Sequence, residues 1–418
     1  MENDGNDEGL FGGNVMLGIW FNHDDLLVRK NQEDFECLKL FGFTDAFILF
    51  KGCVSDMRDK TENHKYLDFV INGVRKNGVR VHGVFFCSED KKYITLNPDR
   101  ADMRVFGKTE TFRIRHLDKK YIEYLNSSIV SANEEYSLDG IQLDFVRYGT
   151  VLCGWSPEEE NIYRTFGVNV SKLKKEILAT YDLSKPNYNL NQIFQRYLNN
   201  DEQLIAFVAG RRSIIKNFVH MVTDNIRLGV KDVDLSVAMM PEGMYEPWRA
   251  AAALHYGQDF EDFAPYFDYM IPMVYAGVFN QTSEWISKVA GNVCERFPQS
   301  VIGLDCIGPR INEDVRADIE ALKNLKNAGI CFFRYGRMIL ALRDGNDTIL
   351  YNTYPGTVTK LILINDGEEI VRDCTLHEAS WMRLKGHWNR IRAFGSFSAG
   401  KTQNYEGEMC VLEKEILR

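Results

Sequence analysis

Residues 139–149 read DGIQLDFVRYG, in which Asp139 and Asp144 bracket a short apolar run and Arg147 and Tyr148 follow the second acid. A guanidinium just beyond a carboxylate would hold it ionised and orient it. An ionised carboxylate can attack an electrophilic carbon or stabilise a developing cation. The same spacing also suits an Asp–Arg ion pair that only fixes a loop, so the segment alone leaves both roles open. Which acid faces chemistry depends on the strand that carries them.

Eight short, β-rich and nearly continuously apolar runs recur along the chain, at 15–21, 45–50, 79–86, 140–145, 233–240, 269–275, 300–305 and 329–335. Longer stretches of helical period separate them. In 210–229, for example, Ile214, Ile215, Phe218, Met221, Val222 and Ile226 fall on one helix face, while Arg211 and Arg212 open the segment and are expected in solvent. Strands buried on both faces and alternating with helices predict a parallel sheet. Eight such units over residues 14–340 predict a (β/α)8 TIM barrel with insertions. The competing arrangement is a doubly wound open sheet, but no G-x-G-x-x-G or G-x-x-x-x-G-K-[ST] opens a helix, so nucleotide binding loses its main support.

The segment between the fourth and fifth runs is far longer than one helix needs. Residues 150–205 are expected as an inserted lid or wall, with a purely structural buttress as the alternative. Short alternating runs then predict a small antiparallel β domain over 341–418, and the acidic, Gly-rich residues 1–13 a flexible leader.

Active sites of such barrels lie at the C-terminal ends of the strands. Asp139 precedes its strand and reads as a turn residue of an Asp-Gly pair. Asp144 ends the strand and is the first candidate for catalysis, with Arg147 and Tyr148 beside it as candidate substrate contacts. Other strand ends supply Trp20, Asn22, His23, Asp24, Lys51, Glu89, Tyr275, Arg334 and Tyr335. Aromatic faces and paired polar groups suit sugar rings, although at 12% aromatic content some would reach this end by chance. Trp155 in the long segment is either a binding platform or a loop anchor. Glu242 is the nearest carboxyl beyond the fifth run, a second acid or a solvated loop residue. Asp305, inside the apolar IGLDCIG, requires a polar partner or a raised pKa, and could be catalytic, ligand-binding or structural.

The segment DGIQLDFVRYG, with the preceding HLDKKYIEYLNSSIVSANEEYSL, resembles the fourth-strand signature Asp-Gly-Ile-x-x-Asp-x-x-Arg-Tyr or Phe of the glycosyl-hydrolase-like (β/α)8 barrel family. GIWF, GRRSIIKNFV, GQDFEDFAPYFDYMIPMVY and AGICFFRYG add weaker matches across residues 14–340. The resemblance implies a glycoside hydrolase acting on an oligo- or polysaccharide. By similarity to amylase-type barrels it also implies a nucleophile at Asp144 and a general acid at Glu242. Those enzymes place an Arg two residues before the Asp, where this chain has Gln142. Glycoside hydrolysis needs two carboxyls, one to protonate the leaving oxygen and one to attack or to activate water. Asp144 is thus expected as nucleophile or base oriented by Arg147, Glu242 as acid, and Asp305 as the rival second carboxyl. A barrel that binds a glycan without cleaving it is the alternative reading.

Composition narrows the other classes. A net charge of -9 argues against a general affinity for nucleic acid, which depends on clustered Lys and Arg. The apolar runs are too short for a transmembrane span. The N-terminus lacks the basic-then-apolar pattern of a secretory signal. Nine scattered cysteines without a C-x-x-C pair read as reduced core residues and point to a reducing compartment. A metal-dependent hydrolase or deacetylase would want converging His and carboxylate ligands, yet the eight histidines form no H-x-H or H-E-x-x-H, and NHDD at 22–25 is the one tempting fragment. No metal or cofactor is expected, and the expected partner is a carbohydrate. A Ser nucleophile lacks G-x-S-x-G, and Cys87 and Cys153 lack an adjacent base.

Overall fold

The computed structural model describes residues 15–21, 33–50, 62–180, 191–241, 248–306, 312–398 and 404–417. All eight expected strands form. They are β1 (Met16–Phe21), β2 (Asp45–Leu49), β3 (Arg80–Phe86), then, after a hairpin of β4 (Ala101–Met103) and β5 (Thr109–Ile114), β6 (Gly140–Asp144), β7 (Asp234–Met239), β8 (Tyr269–Pro272), β9 (Val301–Asp305) and β10 (Gly329–Phe333). They hydrogen-bond in the order β8-β7-β6-β3-β2-β1-β10-β9, and a parallel bridge between Met273 and Gly303 brings the ends of the sheet together. Helices alternate with these strands, so the fold is a TIM barrel. The first strand pairs with the last, Met16 opposite Gly329.

The chain clusters into two compact units, one of Met1–Leu49, Thr61–Gly83 and Ile271–Arg418, the other of Phe50–Lys60 and Val84–Met270. In the first unit Gly73 shows how closely its elements pack. A Cβ there would lie 2.1 Å from the Phe35 ring, so only glycine lets the helix Glu62–Lys76 approach the helix Glu33–Phe41. The same unit holds eight further strands, β11 (Ile339–Asp344), β12 (Asp347–Asn352), β13 (Gly356–Asn365), β14 (Glu368–Leu376), β15 (Trp381–Lys385), β16 (Arg390–Ser398), β17 (Asn404–Met409) and β18 (Val411–Glu413). They form two four-stranded sheets, antiparallel as expected except for the parallel pair of β11 and β18.

In the second unit, most of the long segment after β6 is helical: Pro157–Thr165, Val170–Ala179, Asn191–Leu198 and Glu202–Gly229. Ser156 and Glu159 form a reciprocal capping box on the first of these helices, and Asp201 caps the last. That last helix starts eight residues before the predicted 210 because Leu204, Phe207 and Val208 continue its buried face. Arg211 is therefore mid-helix and fully buried, which corrects the expectation that it is solvated. The eight cysteines among the described residues are free thiols, seven of them buried.

Candidate active site

Asp144 is the last residue of β6, half-buried, and its carbonyl accepts the Cys87 N–H at 2.8 Å, just past the end of β3. Asp139 precedes β6 at the opposite end, so chain direction separates the two acids as expected. Beyond Asp144 the chain turns sharply. Phe145 adopts a left-handed backbone (φ 54°), and its N–H donates to Asp144 Oδ1 at 2.6 Å. Four further hydrogen bonds hold this turn. The Ser88 hydroxyl donates to the carbonyls of Phe145 and Arg147, Gln258 Nε2 donates to the Val146 carbonyl at 3.1 Å, and the Tyr148 N–H reaches the Tyr256 carbonyl at 3.1 Å.

Arg147 does not form the expected ion pair with Asp144. Its guanidinium lies over the rings of Phe145 and Tyr256, 4.8 and 5.4 Å from their centroids, and acts on the carboxyl only through space. Glu89, next to Ser88, approaches Asp144 closely enough to repel its charge, and is itself held by Arg113 Nη2 at 2.8 Å. Gly149 makes room for that arginine, since a Cβ would meet Arg113 Nη1 at 2.2 Å. Burial is the largest influence on Asp144 and raises its pKa, Arg147 and the Phe145 N–H pull it down, and Glu89 pushes it up again; the net shift is upward. The expected direct hold of Arg147 on this carboxylate is thus absent, and desolvation outweighs a guanidinium that makes no direct contact.

Tyr148 was expected among the substrate contacts and instead lies in the interior. It is 1% exposed, its hydroxyl donates to Glu159 Oε1 at 2.9 Å, and Arg211 sits 4.1 Å over its ring. Arg211 donates to the carbonyls of Cys153 (2.7 Å), Thr150 (3.0 Å) and His255 (2.8 Å), fastening the segment after β6 to the helix Glu202–Gly229. Trp155 proves to be an anchor of that segment, its indole N–H on the Val151 carbonyl and its ring stacked on Phe207. Asp102 and Glu159 are buried in the same network, and burial pushes both carboxyls up in pKa.

In the first unit, Asp305 ends β9 almost wholly buried, and its two carboxylate oxygens accept the N–H groups of Gly277 (3.3 Å) and Val278 (3.2 Å). Those bonds give it the polar partner its apolar run demanded and tie down the segment after β8. Trp20, Tyr275 and Phe333 form an aromatic cluster, with Tyr275 stacked on Phe333 at 5.3 Å and Trp20 set edge-on to both. Arg334 lies over the Phe333 ring. Tyr335 is buried and stacks on Phe21 at 4.8 Å, so its ring is part of the core and offers no face to a ligand. Asn22, His23, Asp24, Lys51 and Glu242 lie outside the described residues.

No family model and no curated protein sequence matches the chain. Solved structures do match its fold. The catalytic domain of β-amylase from Paenibacillus polymyxa superimposes with a TM-score of 0.55 at 9% identity, over 77% of this chain and 92% of that one. The PgaB (BpsB) glycoside hydrolase domain from Bordetella bronchiseptica gives 0.55 at 11% identity, over 76% and 94%. A β-galactosidase from the psychrophilic Marinomonas ef1 gives 0.57 at 13% identity, over 77% of this chain and 54% of the enzyme. At these identities the likeness is one of fold, a (β/α)8 barrel shared with these glycoside hydrolases. Among the described residues no group of three or more His, Cys, Asp or Glu could hold a metal ion, and no helix is long and apolar enough to cross a membrane.

Sequence reasoning named Glu89 but gave it no link to Asp144, and it passed over Ser88, Arg113 and Gly149. The alternating TETFRIRH at 109–116 was the available signal for the hairpin that carries Arg113.

Proposed function

We propose that the chain hydrolyses glycosidic bonds of an oligo- or polysaccharide and that Asp144 is a carboxyl acting directly on the bond. The observation that carries this reading is Asp144 itself: a half-buried acid of raised pKa at the C-terminal end of the fourth parallel strand, close to a second carboxylate, Glu89. Acid–base chemistry on a glycosidic bond requires a carboxyl that can hold a proton beside one that can give up its own. An acid that keeps its proton to higher pH suits protonation of the leaving oxygen better than the attacking role implied by the family resemblance. Burial is the main cause of the raised Asp144 pKa, and the charge of Glu89 adds a smaller push in the same direction. Glu242, beyond β7, is proposed as the carboxylate that attacks or activates water.

The test is incubation of the protein with a panel of plant, bacterial and animal glycans, with products read by mass spectrometry beside Asp144→Asn. Cleavage by the parent and a loss of about 10²- to 10⁴-fold in the variant is the expected result. Cleavage undiminished in Asp144→Asn would remove Asp144 from the chemistry. Glycan binding without any cleavage would replace the hydrolase by a binding barrel.

A further inference from the structure

The Arg147 backbone is well anchored, and yet among the described residues its guanidinium makes no hydrogen bond. The peptides around it are fixed by Ser88, Gln258 and Tyr256, and the rings of Phe145 and Tyr256 lie beneath its guanidinium. Its Nε is out of solvent without a hydrogen-bond partner, and among the described residues no carboxylate forms an ion pair with any of its nitrogens. A guanidinium carries its donors on its edge in a planar fork, while its faces serve aromatic contacts. Here two rings flank the guanidinium, and among the described residues its donors have no hydrogen-bond partner.

The nearby acids do not compete for that edge. Glu89 is committed to Arg113 at 2.8 Å, and Asp144 Oδ1 takes the Phe145 N–H. Burial also favours the uncharged form of Asp144. A fixed fork without a partner among the described residues is preorganised for a planar anion from outside the chain.

We infer that the glycan acted on here is acidic, with a sugar carboxylate next to the bond that Asp144 attends, and that the Arg147 fork receives this carboxylate. The inference rests on the glycosidase reading for the role of Asp144. It goes beyond that reading by choosing uronate-containing chains over neutral ones. The rest of the molecule, at net charge -9, would oppose the approach of such a ligand, so its capture depends on this local cation.

The experiment is calorimetric binding at low ionic strength of oligogalacturonate, alginate and hyaluronan fragments, with malto-, cello- and chito-oligosaccharides of equal length as neutral controls. Wild type should bind at least one acidic fragment in preference to every neutral one, and added salt should weaken that binding. Arg147→Gln should lower the acidic affinity about 10- to 100-fold, well beyond any change in the neutral affinities. Arg147→Lys, which keeps the charge without the fork, should fall between the two. Circular dichroism and melting temperature establish that both variants are folded. Lack of preference for any acidic fragment, or equal acidic affinity in wild type and Arg147→Gln, overturns the inference. Hydrolysis is followed in parallel to separate the two ideas. Neutral glycans cleaved in an Asp144-dependent way would keep the glycosidase and discard the acidic substrate. Arg147-dependent binding without cleavage of any fragment would keep the anion site and discard the glycosidase.

Discussion

At the scale of single residues, Asp144 is tuned by charges that do not touch it. Arg147 and Glu89 pull the Asp144 pKa in opposite directions without a hydrogen bond to it, and burial decides the outcome. Replacing Glu89 by Gln removes one upward push and releases the Arg113 cation, so the Asp144 pKa should fall. If Asp144 is the proton donor, the alkaline limb of the kcat/KM profile should then move to lower pH, with the acid limb unmoved. A profile whose alkaline limb stays in place in Glu89→Gln would assign that limb to another group. Asp144 was legible in the sequence because its position follows from chain direction and strand count alone. The fates of Tyr148 and Tyr335 were not. Strand-end position says which face of the barrel a residue is near, but whether its ring points inward depends on partners far away in sequence, Glu159 and Arg211 for Tyr148 and Phe21 for Tyr335. The same limit hid the coupling of Asp144 to Glu89.

Among the elements, the helix Glu202–Gly229 does more than fill space beside the barrel. Through Arg211 it fixes three carbonyls, two of them in the segment that leaves the Asp144 turn. Arg211→Leu should therefore cost about 3–5 kcal/mol of stability, because it strands three buried acceptors and removes the cation nearest to the buried acids Asp102 and Glu159. Urea unfolding measures this directly, and a loss below about 1 kcal/mol would mean that water replaces the guanidinium. The eight barrel strands were visible in the sequence because burial on both faces leaves an uninterrupted apolar run. The β4–β5 hairpin escaped notice for the converse reason. Most side chains of β5 are not fully buried, and its Thr, Glu and Arg dilute the signal below that of a core strand. The early start of the Arg211 helix was readable in the spacing of Leu204, Phe207 and Val208, and in Asp201 ahead of them.

For the molecule as a whole, two histidines in the second unit set an acid limit. Burial lowers His116 to about 3 and His255 to about 4, helped in both by the Arg211 charge and in His116 also by Arg113. His255 Nδ1 also accepts the Val151 N–H, which requires an unprotonated nitrogen. Both folded pKa values lie below the unfolded value of 6.5, so below that pH the unfolded chain binds more protons. The stability they contribute is complete above pH 6.5 and is lost progressively as pH falls towards 4 and then 3. The urea midpoint should drop between pH 7.5 and pH 5, and a His116→Phe, His255→Asn double variant should show a shallower drop; a flat wild-type midpoint would mean that both rings protonate without unfolding. A different consequence follows from the pairing of Met16 with Gly329. The ribosome releases β1 roughly 300 residues before its partner β10, an interval of about 15 to 60 s at typical elongation rates. During that interval the nascent chain carries β1 without its β10 partner, while the second unit, nearly continuous in sequence, can already condense. Yield in expression should therefore depend on chaperone supply and on the speed of translation through the codons that lead up to and encode β10.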